Sequence, residues 1–271
     1  MPPVYRTAVM IVVAALSATL AGAHDFWLVP DAFRVAANGE VVVRGQTSSA
    51  FPTSLSAVTP DRVTEARIVG AADDERITAL TSRDTSLVLR HRPKTTGQKI
   101  VAVAVGWREV KETAESFRKY LVGEGAEDAL KRYERSGQLP TADIVRRYAK
   151  YGKTVVEVGT GPRAFDRIIG QPLEFIPLAD PDAAAVGSQV GMRLMFLGKP
   201  LAGARVHVGL APSAGKNTPE ITLTTSSDGV VSVPVSALGL WNVRTIHVVP
   251  SPPGAGANWD VHWATLVYSV K

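Results

Sequence analysis

Residues 99–105 read Lys-Ile-Val-Ala-Val-Ala-Val, and this stretch indicates the fold of the whole chain. Apolar side chains follow one another along it, so both faces of an extended strand here are apolar. A strand that is apolar on both faces is typical of the middle of a sheet covered on both sides. The stretch therefore predicts a central β-strand.

The sequence around this strand is rich in β-formers as far as Trp107. Short apolar runs are separated by turn signals such as Asn38-Gly39 and Thr96-Gly97. The runs are 33–35, 40–44, 63–69, 86–90 and 99–105. Their spacing predicts a first β-sandwich over residues 24–107.

A second series of evenly spaced runs begins after Gly187. The runs are 189–196, 204–209, 220–225, 230–235, 241–250 and 262–270. They predict a second antiparallel β-sandwich over residues 187–271. The turn Gly198-Lys199-Pro200 together with Ser227-Asp228-Gly229 resembles transthyretin-like and carboxypeptidase-regulatory-like domains. That resemblance implies binding or bracing rather than catalysis.

The segment between the two β-rich regions has helical spacing. Apolar residues recur at Val110, Ala114, Phe117 and Leu121, and a last helical group is Ile144, Val145, Tyr148 and Ala149. We therefore expect a short helical insertion over residues 108–153, whose interleaved charges solvate the helix faces. A returning strand and linker follow over 154–186. The predicted fold class is mainly β, with two Ig-like or carboxypeptidase-regulatory-like antiparallel sandwiches.

Composition excludes several classes of protein. Hydrophobic residues make up 45% and charged residues 20%, as in an ordinary globular chain. The chain has no cysteine, which excludes disulfides and thiolate metal sites. The formal net charge is only +5, with basic and acidic residues interspersed, unlike the basic stripe of a nucleic-acid-binding protein. We therefore expect no nucleic-acid partner.

The first 23 residues have the parts of a secretory signal peptide. Arg6 precedes an apolar run over 8–20 that is too short to span a bilayer, and Ala21-x-Ala23 resembles a cleavage site. We expect export to the periplasm, with cleavage before His24. Further along the chain no apolar run is long enough to predict a membrane span after signal cleavage.

Cleavage at this point gives His24 a metal-binding potential. An N-terminal histidine offers its α-amine and its imidazole as a bidentate chelate for a borderline divalent metal. Both groups lose protons near neutral pH at modest cost. The alternative is that His24 merely follows the cleavage site, because signal peptidase tolerates many residues there.

The other candidate ligands come from the last two strands. Among five histidines, none forms a local metal motif, so a site must be assembled by the fold. His247 and His262 lie on strands that a hairpin brings together, and alternation puts Asp260 on the face of His262. The predicted metal ligands are His24, His247 and His262, with support from Asp25 and Asp260. The alternatives are a strand histidine bonded to a backbone carbonyl and an ordinary surface pair. His91 lies between two arginines, and we expect His207 to be structural.

Motifs spread over the whole predicted mature chain resemble one secreted bacterial family. They are His24-Asp25-Phe26-Trp27-Leu28, Phe117-x-x-Tyr120-Leu121, Arg147-Tyr148-x-Lys150-x-Gly152-Lys153, Pro172-Leu173-Glu174-x-x-Pro177-Leu178-x-Asp180-Pro181, Gly198-Lys199-Pro200-Leu201-x-Gly203-Ala204 and Gly239-x-Trp241-x-x-x-x-x-His247. The chain resembles the family called domain of unknown function 4198, some relatives of which are described as NikM-like components of nickel or cobalt uptake. The resemblance implies periplasmic metal binding or delivery, with an inner- or outer-membrane metal transporter component as partner. NikM-like components have membrane segments, which argues against a place for this chain in the transport pore.

Three functions follow from these patterns. The first is a non-enzymatic periplasmic protein that binds nickel, cobalt or copper. The second is a copper oxygenase that uses an N-terminal histidine brace, although no further motif supports catalysis. The third is an envelope interaction or scaffold module without metal, which the two sandwiches favour.

Overall fold

The computed structural model describes residues 24–213 and 218–271, in which seventeen strands and two α-helices are found. In chain order the strands are β1 Asp25–Pro30, β2 Arg34–Val35, β3 Val41–Ser48, β4 Val63–Val69, β5 Asp74–Arg76, β6 Ala79–Arg83, β7 Ser86–His91, β8 Gly97–Glu112, β9 Ile144–Val158, β10 Leu173–Pro177, β11 Gln189–Phe196, β12 Lys199–Pro200, β13 Arg205–Leu210, β14 Ile221–Thr224, β15 Val230–Pro234, β16 Gly239–Pro250 and β17 Trp259–Val270. The predicted signal peptide lies outside the described residues. The protein is mainly β with sandwiched sheets, as predicted.

A nine-stranded sheet forms the middle layer of the molecule. Its order is β14-β13-β16-β17-β9-β8-β4-β5, with β2 beside β9. Most neighbours are antiparallel, but β17 and β2 run parallel to β9. The predicted central strand at 99–105 is confirmed, because β8 lies between β4 and β9 and its side chains there are buried.

Two smaller sheets cover opposite faces of the middle sheet. The sheet β1-β3-β7-β6 packs on one face through apolar residues that include Phe26 and Leu28. The sheet formed by β10, β11, β12 and β15 packs on the other face, through residues that include Phe175 and Met192. Strands from both predicted sandwiches therefore meet in one shared sheet. We name the face under β1 the front face and the face under β11 the back face.

Two helices lie on the front face beside β1. They are α1 Ala114–Gly123 and α2 Glu127–Arg135. The Thr113 hydroxyl accepts a hydrogen bond from the Ser116 amide and so caps α1. Phe117 and Tyr133 are buried against Trp259 on β17. Within the described residues neither helix has the length and apolar character needed to cross a membrane.

The prediction of a last helix in the insertion is wrong. Ile144, Val145, Tyr148 and Ala149 lie on β9, which pairs with β8 on one side and β17 on the other. A strand in a sheet that is covered on both sides is buried on both faces, and over a few residues its apolar pattern also fits helical spacing. The expected boundaries at 107/108 and 153/154 consequently fall inside β8 and β9.

Candidate functional site

His247 and His262 lie directly opposite each other on the antiparallel strands β16 and β17. Opposed residues of an antiparallel pair project from the same face with their Cβ atoms about 5 Å apart. Their loop connection and the strand periodicity are visible in the sequence, which is why the hairpin could be predicted. Both imidazoles therefore lie side by side on the back face.

Aromatic rings surround this histidine pair. The Phe196 ring centroid is 4.4 Å from that of His247 and 5.1 Å from that of His262. Trp107 meets His262 edge-on at 5.1 Å, and Tyr151 stacks on it at 6.0 Å. We name these five residues the imidazole cluster. Rings from β8, β9 and β11 thus hold in place two imidazoles from a fourth and a fifth strand.

Burial makes both imidazoles neutral at ordinary pH. It lowers the pKa of His247 to about 4, and the charges of Arg132 and His262 act in the same direction. Burial also lowers the pKa of His262 to about 4, where Asp260 opposes the shift and Arg147 adds to it. Neutral imidazole is the form that ligates a metal ion, so no proton has to be displaced at pH 7.

Tyr151 fixes the orientation of the His262 ring. Its hydroxyl oxygen lies 3.2 Å from His262 Nδ1. Burial raises the pKa of Tyr151, so the phenol keeps its proton. When Nδ1–H donates to the phenol oxygen, Nε2 keeps its lone pair for a ligand.

Asp260 lies on the face of His262, as strand alternation predicts, but its charge is directed to Arg147. Arg147 donates to both carboxylate oxygens of Asp260, at 2.6 and 2.8 Å, and Ser251 donates a third hydrogen bond. The Arg147 guanidinium in turn lies 4.5 Å from the centroid of the Trp107 ring. Asp260 therefore supports the wall of the imidazole cluster through Arg147.

His24 lies on the opposite, front face of the middle sheet. Its backbone carbonyl accepts a hydrogen bond from Lys150, whereas the next residue on β9, Tyr151, contacts His262. Successive side chains of a strand point to opposite faces. The sheet consequently separates His24 from His247 and His262, and one ion cannot contact all three predicted ligands in this arrangement.

Asp25 is buried near Arg244 and Lys150. Its carboxylate lies 3.4 Å from Arg244, and its Oδ1 has no hydrogen-bond partner among the described residues. Burial raises the pKa of Asp25 to about 6, against the attraction of Arg244 and Lys150. Its oxygen therefore lies beside a fixed cation on the front face.

The two remaining histidines have carboxylate partners. His207 Nδ1 lies 3.0 Å from Glu220, and His91 Nε2 lies 3.3 Å from Glu75. In the described parts of the chain, no three side chains of the His, Asp and Glu types are grouped so that they could hold a metal ion. A metal at the imidazole cluster would therefore have two imidazole ligands and complete its coordination with other groups.

The front face also has a cationic cleft that was not predicted from the sequence. About 650 Å³ of space lies between the loop 56–62 and strands β8 and β9. Arg62, Arg108, Arg146 and Lys150 line it together with His24. The alternation Arg146-x-Tyr148-x-Lys150 was the available signal, because it puts three side chains on one face of a strand, but the segment was predicted to be helical.

Comparisons with known proteins identify a family and distant structural likenesses. A family model described as domain of unknown function (DUF4198) matches residues 21–249, and no curated protein matches the chain. The D0-D1 domain of intimin is similar at 10% identity and a TM-score of 0.20, over 90% of this chain and 97% of that one. The α2-macroglobulin of Escherichia coli is similar at 9% identity and a TM-score of 0.26, over 92% of this chain and 16% of that one. The adhesin InvE of Yersinia pseudotuberculosis is similar at 12% identity and a TM-score of 0.21, over 91% of this chain and 60% of that one.

Proposed function

This chain belongs to the DUF4198 family, and from that premise we propose that it is a periplasmic protein that binds a divalent transition metal, nickel, cobalt or copper, through His247 and His262. The observation that carries the proposal is the pair of neutral imidazoles opposed across β16 and β17. Imidazole nitrogen suits nickel, copper and zinc, and copper binds most tightly to a nitrogen site of this kind.

The donor set favours reversible binding over a permanent structural metal. Structural metal sites are usually closed by four protein ligands, whereas two imidazoles leave positions for water or for donors of a partner. The surrounding rings favour metal binding by pre-organising the ligands, because Tyr151 and Phe196 restrain the imidazoles before the metal binds. A delivery protein needs an ion that can be held and then passed to a membrane transporter component.

An N-terminal chelate by His24 is the second candidate, and the anchoring of its carbonyl by Lys150 favours it. Ordering the chain at this point reduces the entropy that a chelating terminus loses on binding. Because His24 and the histidine pair occupy opposite faces, substitutions separate the two candidates.

The test is calorimetric titration of the exported protein with Cu²⁺, Ni²⁺ and Co²⁺. We expect His247→Gln and His262→Gln each to weaken binding by at least about tenfold, the factor that 1.4 kcal/mol of lost ligation produces. His91→Gln is the matched control, since His91 contacts Glu75 away from the cluster, and its affinity should be that of the parent.

The outcome for His24→Gln decides between the candidates. If only this variant loses binding, the N-terminal chelate is the site and the imidazole pair is structural. If the parent protein binds none of the three ions, metal binding is rejected and the scaffold function takes its place.

A further inference from the structure

The cationic cleft is a space of ligand size with chemically diverse walls. Its volume of about 650 Å³ lies within the range of about 300–1,000 Å³ that is usual for small-molecule sites. Hydroxyl groups line it at Thr47, Ser56 and Thr59, and Val58 and Val105 add an apolar part. The walls therefore offer cations, hydroxyl hydrogen bonds and apolar contact to one occupant.

Most of the positive charge in this cleft is not neutralised by the protein. Arg146 pairs with Glu112, whereas Arg62, Arg108 and Lys150 form no direct ion pair with a carboxylate of the described ranges. Asp25 and Glu124 attract Lys150 without such a pair. Glu109 is the one acidic residue among those that line the space. Cations of one sign gathered in a cleft with low-dielectric walls produce a strong local field that attracts anions.

The fold holds two of these cations in place. The Arg62 guanidinium donates to the Gly106 carbonyl at 2.9 Å, which fixes it beside the bulge of β8. The Arg146 side chain is only 3% exposed and lies 3.7 Å above the Tyr120 ring. Its Nη1 is buried and has no hydrogen-bond partner among the residues described. A buried guanidinium nitrogen without an acceptor is costly, which favours a site that an additional acceptor completes.

Arginine determines the chemical class of the occupant. The planar guanidinium matches carboxylate and phosphate oxygens with two parallel hydrogen bonds. Three arginines and a lysine around one space exceed what a monovalent anion needs. A polymeric anion such as a nucleic acid requires an extended basic stripe, whereas these four cations surround a single cleft.

We propose that the cleft lined by Arg62, Arg108, Arg146 and Lys150 binds a small organic anion with two or more carboxylate or phosphate groups. This site is independent of metal binding at His247 and His262, because the middle sheet lies between them. The protein would therefore have separate sites for a cation and for an anion on its two faces.

The test uses metal-free exported protein and two probes, tricarballylate for a tricarboxylate and pyrophosphate for a phosphate. We expect saturable calorimetric binding of at least one probe and none of acetate, with affinity falling as salt rises from 0.05 to 0.5 M, because salt screens exposed charges. The probe that binds more tightly identifies the preferred group.

Substitutions locate the site. Arg108→Gln changes an exposed side chain without an ion pair, so the fold should be unaffected, and we expect affinity to fall about tenfold, the factor of one lost charged contact of 1.4 kcal/mol. Arg62→Gln should have a similar effect. Arg83→Gln is the control, because Arg83 is not among the residues that line the cleft, and it should bind like the parent. Equal affinity of Arg108→Gln, Arg62→Gln and Arg83→Gln would overturn the proposal. The proposal would also be overturned if neither probe bound the parent protein.

Discussion

The two faces of the middle sheet treat charge in opposite ways, although both are built from alternate residues of β9. On the back face, Lys153 is paired with Glu174 at 2.7 Å, and the histidines are neutral. On the front face, Lys150 is almost as buried but donates only to the carbonyl of His24. The comparison shows that burial alone does not say whether a charged side chain is structural. A direct ion pair with a carboxylate distinguishes Lys153 from Lys150, which Asp25 attracts without such a pair.

Replacing one buried lysine on each face should give the largest difference in the free energy of unfolding. We expect Lys153→Met to lower the free energy of unfolding by about 3–5 kcal/mol, because Glu174 is left as a buried charge without its partner. Lys150→Met should cost about 1 kcal/mol, the worth of one hydrogen bond, because Asp25, which attracts Lys150, keeps Arg244 as a cation at 3.4 Å. Urea unfolding of the two variants measures both values.

A double variant checks the cause of the larger loss. Glu174 also accepts hydrogen bonds from the amides of Ile169 and Gly170, one on each carboxylate oxygen, and glutamine keeps an acceptor for one of them. Lys153→Met combined with Glu174→Gln should therefore be more stable than Lys153→Met alone. Equal losses for Lys153→Met and Lys150→Met would contradict the distinction between the faces.

The pH dependence of stability should have opposite signs on the two faces. In metal-free protein, His247 and His262 have folded pKa values of about 4, below the usual 6.5. Protons then bind the unfolded chain more readily, so their contribution rises between about pH 4 and 6.5. Each histidine contributes on the order of 3 kcal/mol, because one unit of pKa shift corresponds to about 1.4 kcal/mol.

Asp25 should act in the reverse direction. Its folded pKa of about 6 lies above the usual 3.8, so its contribution to stability is lost as the pH rises between those values. Unfolding in urea from pH 4 to 7 should show a shallower rise for the variant with both His247→Gln and His262→Gln. The same measurement should show a steeper rise for Asp25→Asn. A profile unchanged in either variant would mean that the group is not buried as described.

Local pattern in the sequence was enough for most of the fold. Alternation predicted β8 as a central strand, and the hairpin of β16 and β17 predicted that His247 and His262 meet. The strand β9 could not be predicted in the same way, because its parallel partner β17 begins more than a hundred residues later. Short-range spacing in the sequence does not reveal such a pairing. The pairing with β17 nevertheless overrides the helical preference of the segment.

The candidate site was predictable only in part for the same reason. Alternation correctly put Asp260 on the face of His262, yet its partner Arg147 comes from β9. The separation of His24 from the histidine pair depends on which face of the middle sheet β1 covers. That choice is decided by the packing of Phe26 and Leu28 in the front core, a tertiary property.

The smallest expected effect is a difference in stability between variants of two tyrosines of β9. Tyr151 on the back face bonds His262, whereas the hydroxyl of Tyr148 on the front face makes no hydrogen bond to the described residues. We expect Tyr151→Phe to cost about 1 kcal/mol in urea unfolding, because a buried imidazole nitrogen loses its partner, and Tyr148→Phe to cost about zero. The nitrogen NMR shifts of His262 should report a changed tautomer population in Tyr151→Phe alone, since of the two tyrosine hydroxyls only that of Tyr151 bonds a ring nitrogen of His262. If both variants leave these shifts unchanged, Tyr151 does not orient His262, and aromatic packing alone positions the imidazole for a metal.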